Sequence, residues 1–146
     1  MSPIVTLGVR AMTPSEVRGT GTVKYVNLDS PYYGIWVDRD GIYDPINLAS
    51  AFMVDGLRIR FSAITHPEAW TPHYSQNAIE LTSIELLGDV NSDMKVDSTD
   101  VFILVMAFGS QPADVEWDSK ADLNYDNFIN IADAILLAGN YGTQVM

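Results

Sequence analysis

The sequence predicts two small domains: a mostly-β barrel over residues 1–87 and a helical module over residues 88–146. Three observations carry that division. Strand-like alternation fills the first part, an acidic loop-then-helix pattern occurs twice in the second, and the charge changes between them. Residues 1–87 hold 6 Lys/Arg against 9 Asp/Glu, a balance of −3, whereas residues 88–146 hold 2 against 10, a balance of −8. A chain of 146 residues has room for one ordinary domain or two small ones, and small domains bury proportionally less of their surface.

In the first domain, Gly21–Leu28 alternates in β fashion and ends at the turn Asp29-Ser-Pro31. Tyr32–Asp38 follows as a second strand, with Asp38–Gly41 as a hairpin turn into Ile42–Pro45. Leu48–Met53 reads as a short helical turn. Leu57–Ile64 then places β-branched and aromatic residues on one parity and Arg58 and Arg60 on the other, and Ile79–Leu86 makes the last strand. Period-two alternation bounded by turn residues is the mark of half-buried strands. Three strands, a helical connection and two strands is the order of an OB-like barrel.

The barrel contains no obvious nucleophile–base pair. His66 and His73 lie seven apart in a loop with two prolines and two aromatics, which reads as an exposed connection with Trp70 packed over the barrel end. A metal pair or a ligand-contact loop is the functional alternative. Asp38 and Asp40 fit turn chemistry better than an acid–base pair, because short carboxylates hydrogen-bond their own backbone in tight turns. Tyr32, Tyr33, Trp36 and Tyr43 could stack on a sugar, but alternating strand parity puts some of them in the core, which is the favoured reading. A balance of −3 without clustered Lys/Arg argues against nucleic acid.

The second domain opens with Asp89-Val-Asn91-Ser-Asp93-Met-Lys95-Val-Asp97-Ser-Thr-Asp100. Thirty-three residues later comes Asp122-Leu-Asn124-Tyr-Asp126-Asn-Phe128-Ile-Asn130-Ile-Ala-Asp133. Both carry Asp or Asn at positions 1, 3, 5, 9 and 12 of a twelve-residue window. One such match arises by chance at roughly one start in ten thousand, and a second at the repeat offset is rarer still. Short oxygen-bearing side chains at this spacing encircle a hard cation, and this ligand number suits Ca²⁺ better than Mg²⁺. The reading assigns Asp89, Asn91 and Asp93 as side-chain ligands, Lys95 through its carbonyl, Asp97 through a water, and Asp100 as the closing ligand. Asp122, Asn124, Asp126, the Phe128 carbonyl, Asn130 and Asp133 repeat those roles. Position 6, where Gly eases the sharp turn, is Met94 in one loop and Asn127 in the other. Asn tolerates a left-handed backbone better than Met, so the first loop is expected to be the weaker. Position 12 is Asp rather than the longer Glu.

Each loop runs into a short apolar helix, Val101–Phe108 or Ala134–Tyr141, expected to start at the last metal ligand and stop at Gly109 or Gly142. Loop-then-helix, duplicated and without a helix before either loop, resembles the dockerin family of cellulosomes. The resemblance covers residues 88–143 and includes the linker between the repeats, Gly109–Asp122. It implies a non-catalytic, calcium-dependent docking module whose usual partner is a cohesin domain. It also implies partner contacts at loop positions 10 and 11, here Ser98 and Thr99 in one repeat and Ile131 and Ala132 in the other. Ser98-Thr99 match a familiar pair in that family, whereas Ile131-Ala132 do not. The basic residues common in the following helix of cellulosomal members are missing.

Composition fits an extracellular or cell-surface setting. There is no cysteine, so neither disulfides nor thiolate metal sites are available, and bound calcium can staple a small module instead. No uncharged apolar stretch approaches membrane-spanning length. Met1–Thr6 has neither a basic start nor an apolar run, and the chain reads as a mature or excised piece of a longer secreted protein. Seven of the ten acids after residue 87 sit in the two loops. Carboxylates about 4 Å apart repel by roughly 4 kcal/mol at an effective dielectric near 20. Without metal this half is therefore expected to be loose or unfolded. Its acidity argues against nucleic acid and anionic membranes as partners.

Three functions follow. The leading one is a calcium-dependent docking module for a cohesin-like domain. The second is a calcium-locked structural terminal domain of a surface protein, its helices packed on the barrel. The third, least supported, is a fragment of a polysaccharide-active hydrolase. No charge occurs from Val101 to Ala113, which predicts that the first helix is covered, either by the barrel or by a partner.

Overall fold

Residues 15–38, 40–66 and 77–145 are described by the computed structural model of the chain. The chain divides into two compact units, Met1–Leu57 with Phe61–Ile84, and Arg58–Arg60 with Glu85–Met146.

Five strands close into a ring in the order β1-β2-β3-β5-β4. They are β1 (Glu16–Val26), β2 (Tyr32–Val37), β3 (Ile42–Pro45), β4 (Arg58–Thr65) and β5 (Ala78–Leu86), with a 3-10 turn at Ser50–Phe52 between β3 and β4. β1 starts five residues before the expected Gly21. β1 and β2 are antiparallel with Val23 opposite Ile35, and β3 and β5 are parallel with Asp44 opposite Ala78. The Val23 amide donates to the Leu57 carbonyl at 2.8 Å and the Gly56 amide to the Val23 carbonyl at 2.7 Å.

The strands form where they do because one parity is apolar. Val23, Ile35, Ile59, Phe61 and Ala63 are all buried. Gly21 is required by close approach: a Cβ there would stand 2.7 Å from the Trp36 carbonyl oxygen. Of the aromatics expected to fill part of the core, Trp36 does not. Ile35 occupies the inward position of β2, so its neighbour Trp36 points out, 43% exposed, opposite Thr22 with Lys24 Nζ 5.0 Å from its ring. Tyr32, Tyr33 and Tyr43 are half-buried.

Asp38 and Asp40 act in the turn. Asp38 Oδ2 accepts from the Thr20 hydroxyl at 2.8 Å, and Asp40 Oδ2 accepts from the Tyr43 hydroxyl at 3.3 Å. His66 Nε2 lies 3.0 Å from Glu80 Oε1. His73 and Trp70 lie outside the described residues.

The C-terminal unit contains helices α1 (Ser98–Ala107) and α2 (Ile131–Gly139), with a 3-10 turn at Ser119–Ala121. Both helices begin earlier than the sequence suggests, two residues before loop position 12. The cause is the cap. Asp97 and Asn130, at loop position 9, are the N-cap residues, accepting from the Thr99 amide at 3.1 Å and the Ala132 amide at 3.0 Å. Asp100 and Asp133 in turn accept from the cap amides at 2.9 and 3.0 Å, completing capping boxes that satisfy amides left orphaned at a helix start. α1 ends before Gly109, whose φ of +88° suits a residue without a Cβ.

The two repeats are tied by a reciprocal exchange. Val96 and Ile129, both at loop position 8, are fully buried. The Val96 amide donates to the Thr143 carbonyl and receives the Gly142 amide on its own carbonyl, both at 2.8 Å. Ile129 makes the same pair with Ser110 and Gly109, at 3.1 and 2.6 Å. Every partner is related by the same 33-residue offset, so each loop is pinned to the end of the other repeat's helix.

Candidate metal centres and helix face

Each acidic loop closes on itself through carboxylate-to-amide bonds that the other repeats. Asp89 accepts from the Asp93 and Met94 amides at 3.1 and 2.9 Å, and Asp122 accepts from the Asp126 and Asn127 amides at 3.2 and 2.9 Å. Asp100 Oδ1 receives the Val90 and Asn91 amides, and Asp133 Oδ1 those of Leu123 and Asn124. These bonds turn the chain tightly around the carboxyl groups. The turn demands a left-handed backbone at position 6, where Met94 has φ +69° and Asn127 +63°. It demands one also at position 4, where Ser92 has φ +60° and Tyr125 +59°. The second requirement is not evident from the sequence.

The result is two carboxylate triads. Asp89, Asp93 and Asp100 place one oxygen each within 4.8 Å of one another, and Asp122, Asp126 and Asp133 do the same. In each triad the residues at positions 1 and 12 are buried and the one at position 5 is exposed. Burial, then the charges of Asp100 and Asp93, push the Asp89 carboxyl above its ordinary range despite its amide bonds. Burial, then Asp133 and Asp126, do the same to Asp122. Asp133 is raised by burial and then by Asp126. Like charges held together and partly desolvated favour a cation between them. An all-oxygen donor set of this kind fits a hard divalent ion.

The remaining sequence-predicted ligands are distributed around these triads. Asn124 donates from Nδ2 to Asp126 Oδ2 at 3.2 Å, and Asn91 at the matching position is exposed. Lys95 turns its ammonium outward, 4.0 Å from Asp97 Oδ2. Phe128 is 39% exposed. Asp97 and Asn130 each commit one side-chain oxygen to capping the helix that follows.

Residues 87–140 match the family model of the dockerin type I domain. That stretch is a dockerin type I domain. Among solved structures, a type II cohesin–dockerin domain from Bacteroides cellolosolvens is 42% identical over 41% of this chain and 90% of its own, with a TM-score of 0.36. Two crystal structures of type II cohesin–X–dockerin complexes from Acetivibrio cellulolyticus are also similar. They are an N-terminal and a C-terminal interface mutant, 15% and 16% identical over 87% of this chain and 83% of theirs, each with a TM-score of 0.40. No curated protein matches the chain.

The uncharged first helix keeps much of its apolar surface exposed. In the dockerin domain α1 buries Asp100, Leu104 and Ala107 but leaves Phe102 64%, Val105 59% and Met106 62% exposed. α2 exposes Ile131 and Ile135, each by 63%. Between the helices lies a groove of about 270 Å³ walled by Val101, Val105 and Phe108 on one side and Ala134, Ala138 and Tyr141 on the other. Ser98 and Thr99 are exposed at the start of α1, and Ala132 is half-buried at the start of α2. The helices therefore present an apolar face whose two halves carry different side chains.

Proposed function

We propose that the dockerin domain binds two Ca²⁺ ions and, so ordered, docks a cohesin-type protein domain in an extracellular or cell-surface assembly. The observation that carries this reading is the pair of carboxylate triads at a 33-residue offset within the family-matched stretch. Asp89, Asn91, Asp93, the Lys95 carbonyl, Asp97 and Asp100 would hold one ion. Asp122, Asn124, Asp126, the Phe128 carbonyl, Asn130 and Asp133 would hold the other. A bound ion neutralises carboxylates that otherwise repel, and so stabilises the loops from which both helices start. Asp97 keeps a second carboxylate oxygen beside the one used in capping, which suits a water-mediated role, whereas Asn130 would share its single side-chain oxygen between the two. The partner-facing residues are Ser98, Thr99, Ile131 and Ala132, continued by the exposed Phe102, Val105 and Met106 of α1.

Residues 1–87 and 88–146 are read as the two modules, with Arg58–Arg60 and Glu85–Leu87 counted with the C-terminal unit. The strand order and the parallel β3–β5 pair support an OB-like barrel for the first. Its ring serves here as the carrier of the docking module.

The test is binding of the full chain to immobilised cohesin domains, with calcium and with chelator. Capture by a cohesin in calcium, abolished by chelator and by Phe102→Asp, is expected. Failure to bind a broad cohesin panel in calcium, while two ions are taken up, would refute the docking part alone.

A further inference from the structure

Arg60 is buried, 6% exposed, although its strand parity marks it as an outward residue. A buried guanidinium must be paired, because an uncompensated charge is strongly unfavourable away from water. Its partners all belong to the C-terminal unit. Nη2 donates to Glu85 Oε1 at 3.1 Å and Nη1 to the Asp122 carbonyl at 3.3 Å, while the guanidinium lies 5.9 Å from the centre of the Tyr125 ring. Asp122 and Tyr125 are positions 1 and 4 of the second acidic loop. The other carboxylate oxygen of Glu85 accepts from the Ser92 hydroxyl and, at 3.0 Å, from the Lys120 ammonium. Ser92 is position 4 of the first loop.

Arg60 and Glu85 thus hold the same position in both loops, one residue each, at two of the four places where a non-glycine residue is kept at φ near +60°. Position 4 lies between ligand positions 3 and 5, so its orientation sets the spacing of the side chains on either side. A shift in one loop on ion uptake is passed through Ser92, Glu85 and Arg60 to Asp122 and Tyr125 in the other.

Resting on the calcium reading above, we propose that the Arg60–Glu85 pair couples the two loops, so that filling one raises the calcium affinity of the other. Arg60 and Glu85 act here as positioning residues and are not ligands.

The test compares the Ca²⁺ affinity of the second loop in the full chain with the first loop intact and with it disabled by Asp89→Ala, measured by titration calorimetry. An intact first loop is expected to raise the affinity about fivefold or more, the lower range of an ordinary coupling between sites. In Arg60→Met and in Glu85→Gln that ratio should fall to about one. Acting only as charges, Arg60 would repel an ion and Glu85 attract it, so the two substitutions would shift affinity in opposite directions and leave the ratio in place. Ser92→Ala keeps the buried pair whole and removes the Ser92 hydroxyl's bonds to Glu85 and to the Lys120 ammonium. It should abolish the ratio in a protein whose folding is undisturbed, whatever the fate of the Arg60 variant. A ratio of one in the wild type, or one that persists in Ser92→Ala, would overturn the coupling. Absence of any calcium uptake by the wild type would overturn the calcium reading itself and this inference with it.

Discussion

Met94→Gly is the substitution whose effect follows most directly from the backbone. Met94 sits at loop position 6 with φ +69°, where an L side chain crowds the following carbonyl at a cost of about 1–2 kcal/mol. Glycine removes that crowding but adds freedom to the unfolded chain, which offsets about 0.5–1 kcal/mol. Met94 is 37% exposed, and its carbonyl bond from the Val145 amide at 2.9 Å is a backbone bond that survives the change. The net gain is about 0.5–1 kcal/mol, and it falls on the closed loop. It should appear as about two- to fivefold tighter calcium binding at the first loop, taking 1.4 kcal/mol as tenfold. Asn127→Gly, at φ +63°, is the control. Asn tolerates this region through local hydrogen bonding, so its replacement should leave affinity nearly unchanged. Titration calorimetry of both variants, each with the other loop disabled, reads the difference. Weaker binding in Met94→Gly, or equal gains in the two variants, would refute the backbone argument.

Three further outcomes are expected. In chelator, the raised carboxyls of Asp89, Asp122 and Asp133 mean that the folded unit holds protons the unfolded chain has released. Stability of the helical signal should therefore fall as pH rises from the ordinary Asp value of 3.8 through the higher folded values, and should rise over the same window in excess calcium. Parallel pH profiles with and without the ion would contradict this. Gly21→Ala forces a methyl to 2.7 Å from the Trp36 carbonyl and should cost about 1–3 kcal/mol in denaturant unfolding of the β signal; an unchanged midpoint would show that the strands yield freely. Because Ser98-Thr99 and Ile131-Ala132 differ in polarity, swapping their places against one partner pocket would leave buried hydroxyls unpaired at about 1–3 kcal/mol each. One docking orientation should dominate, and double substitutions at the two pairs should lose very different amounts of cohesin affinity, equal losses being the contrary result.

Much of this site is legible in the sequence. Ligand spacing is a local property, so the two loops, their offset and the left-handed turn at position 6 follow from residue order alone. The capping role of Asp97 and Asn130 is also local, but the same side chains fit the metal-ligand spacing, which masks it. Burial is not local, and there the pattern failed. Tyr32–Val37 carries large apolar residues on both parities, so alternation could not say that Ile35 goes inward and Trp36 outward. Arg60 lies on the polar parity of β4, and only the arrival of Glu85 and the Asp122 carbonyl makes its burial tolerable. The uncharged run leaves Val101, Phe102, Val105, Met106 and Phe108 exposed, because α1 packs within its own unit through Leu104 and Ala107.

The central claim is that calcium orders residues 88–143. The most direct measurement is calorimetric titration of the chelator-treated full chain with Ca²⁺, followed in parallel by circular dichroism. The account predicts two ions per chain, and recovery of the signal of α1 and α2 as they bind. At a Kd near 10 µM, 1 mM Ca²⁺ would add about 2.7 kcal/mol per site. Identical spectra and melting curves in calcium and in chelator, with no heat of binding, would contradict it.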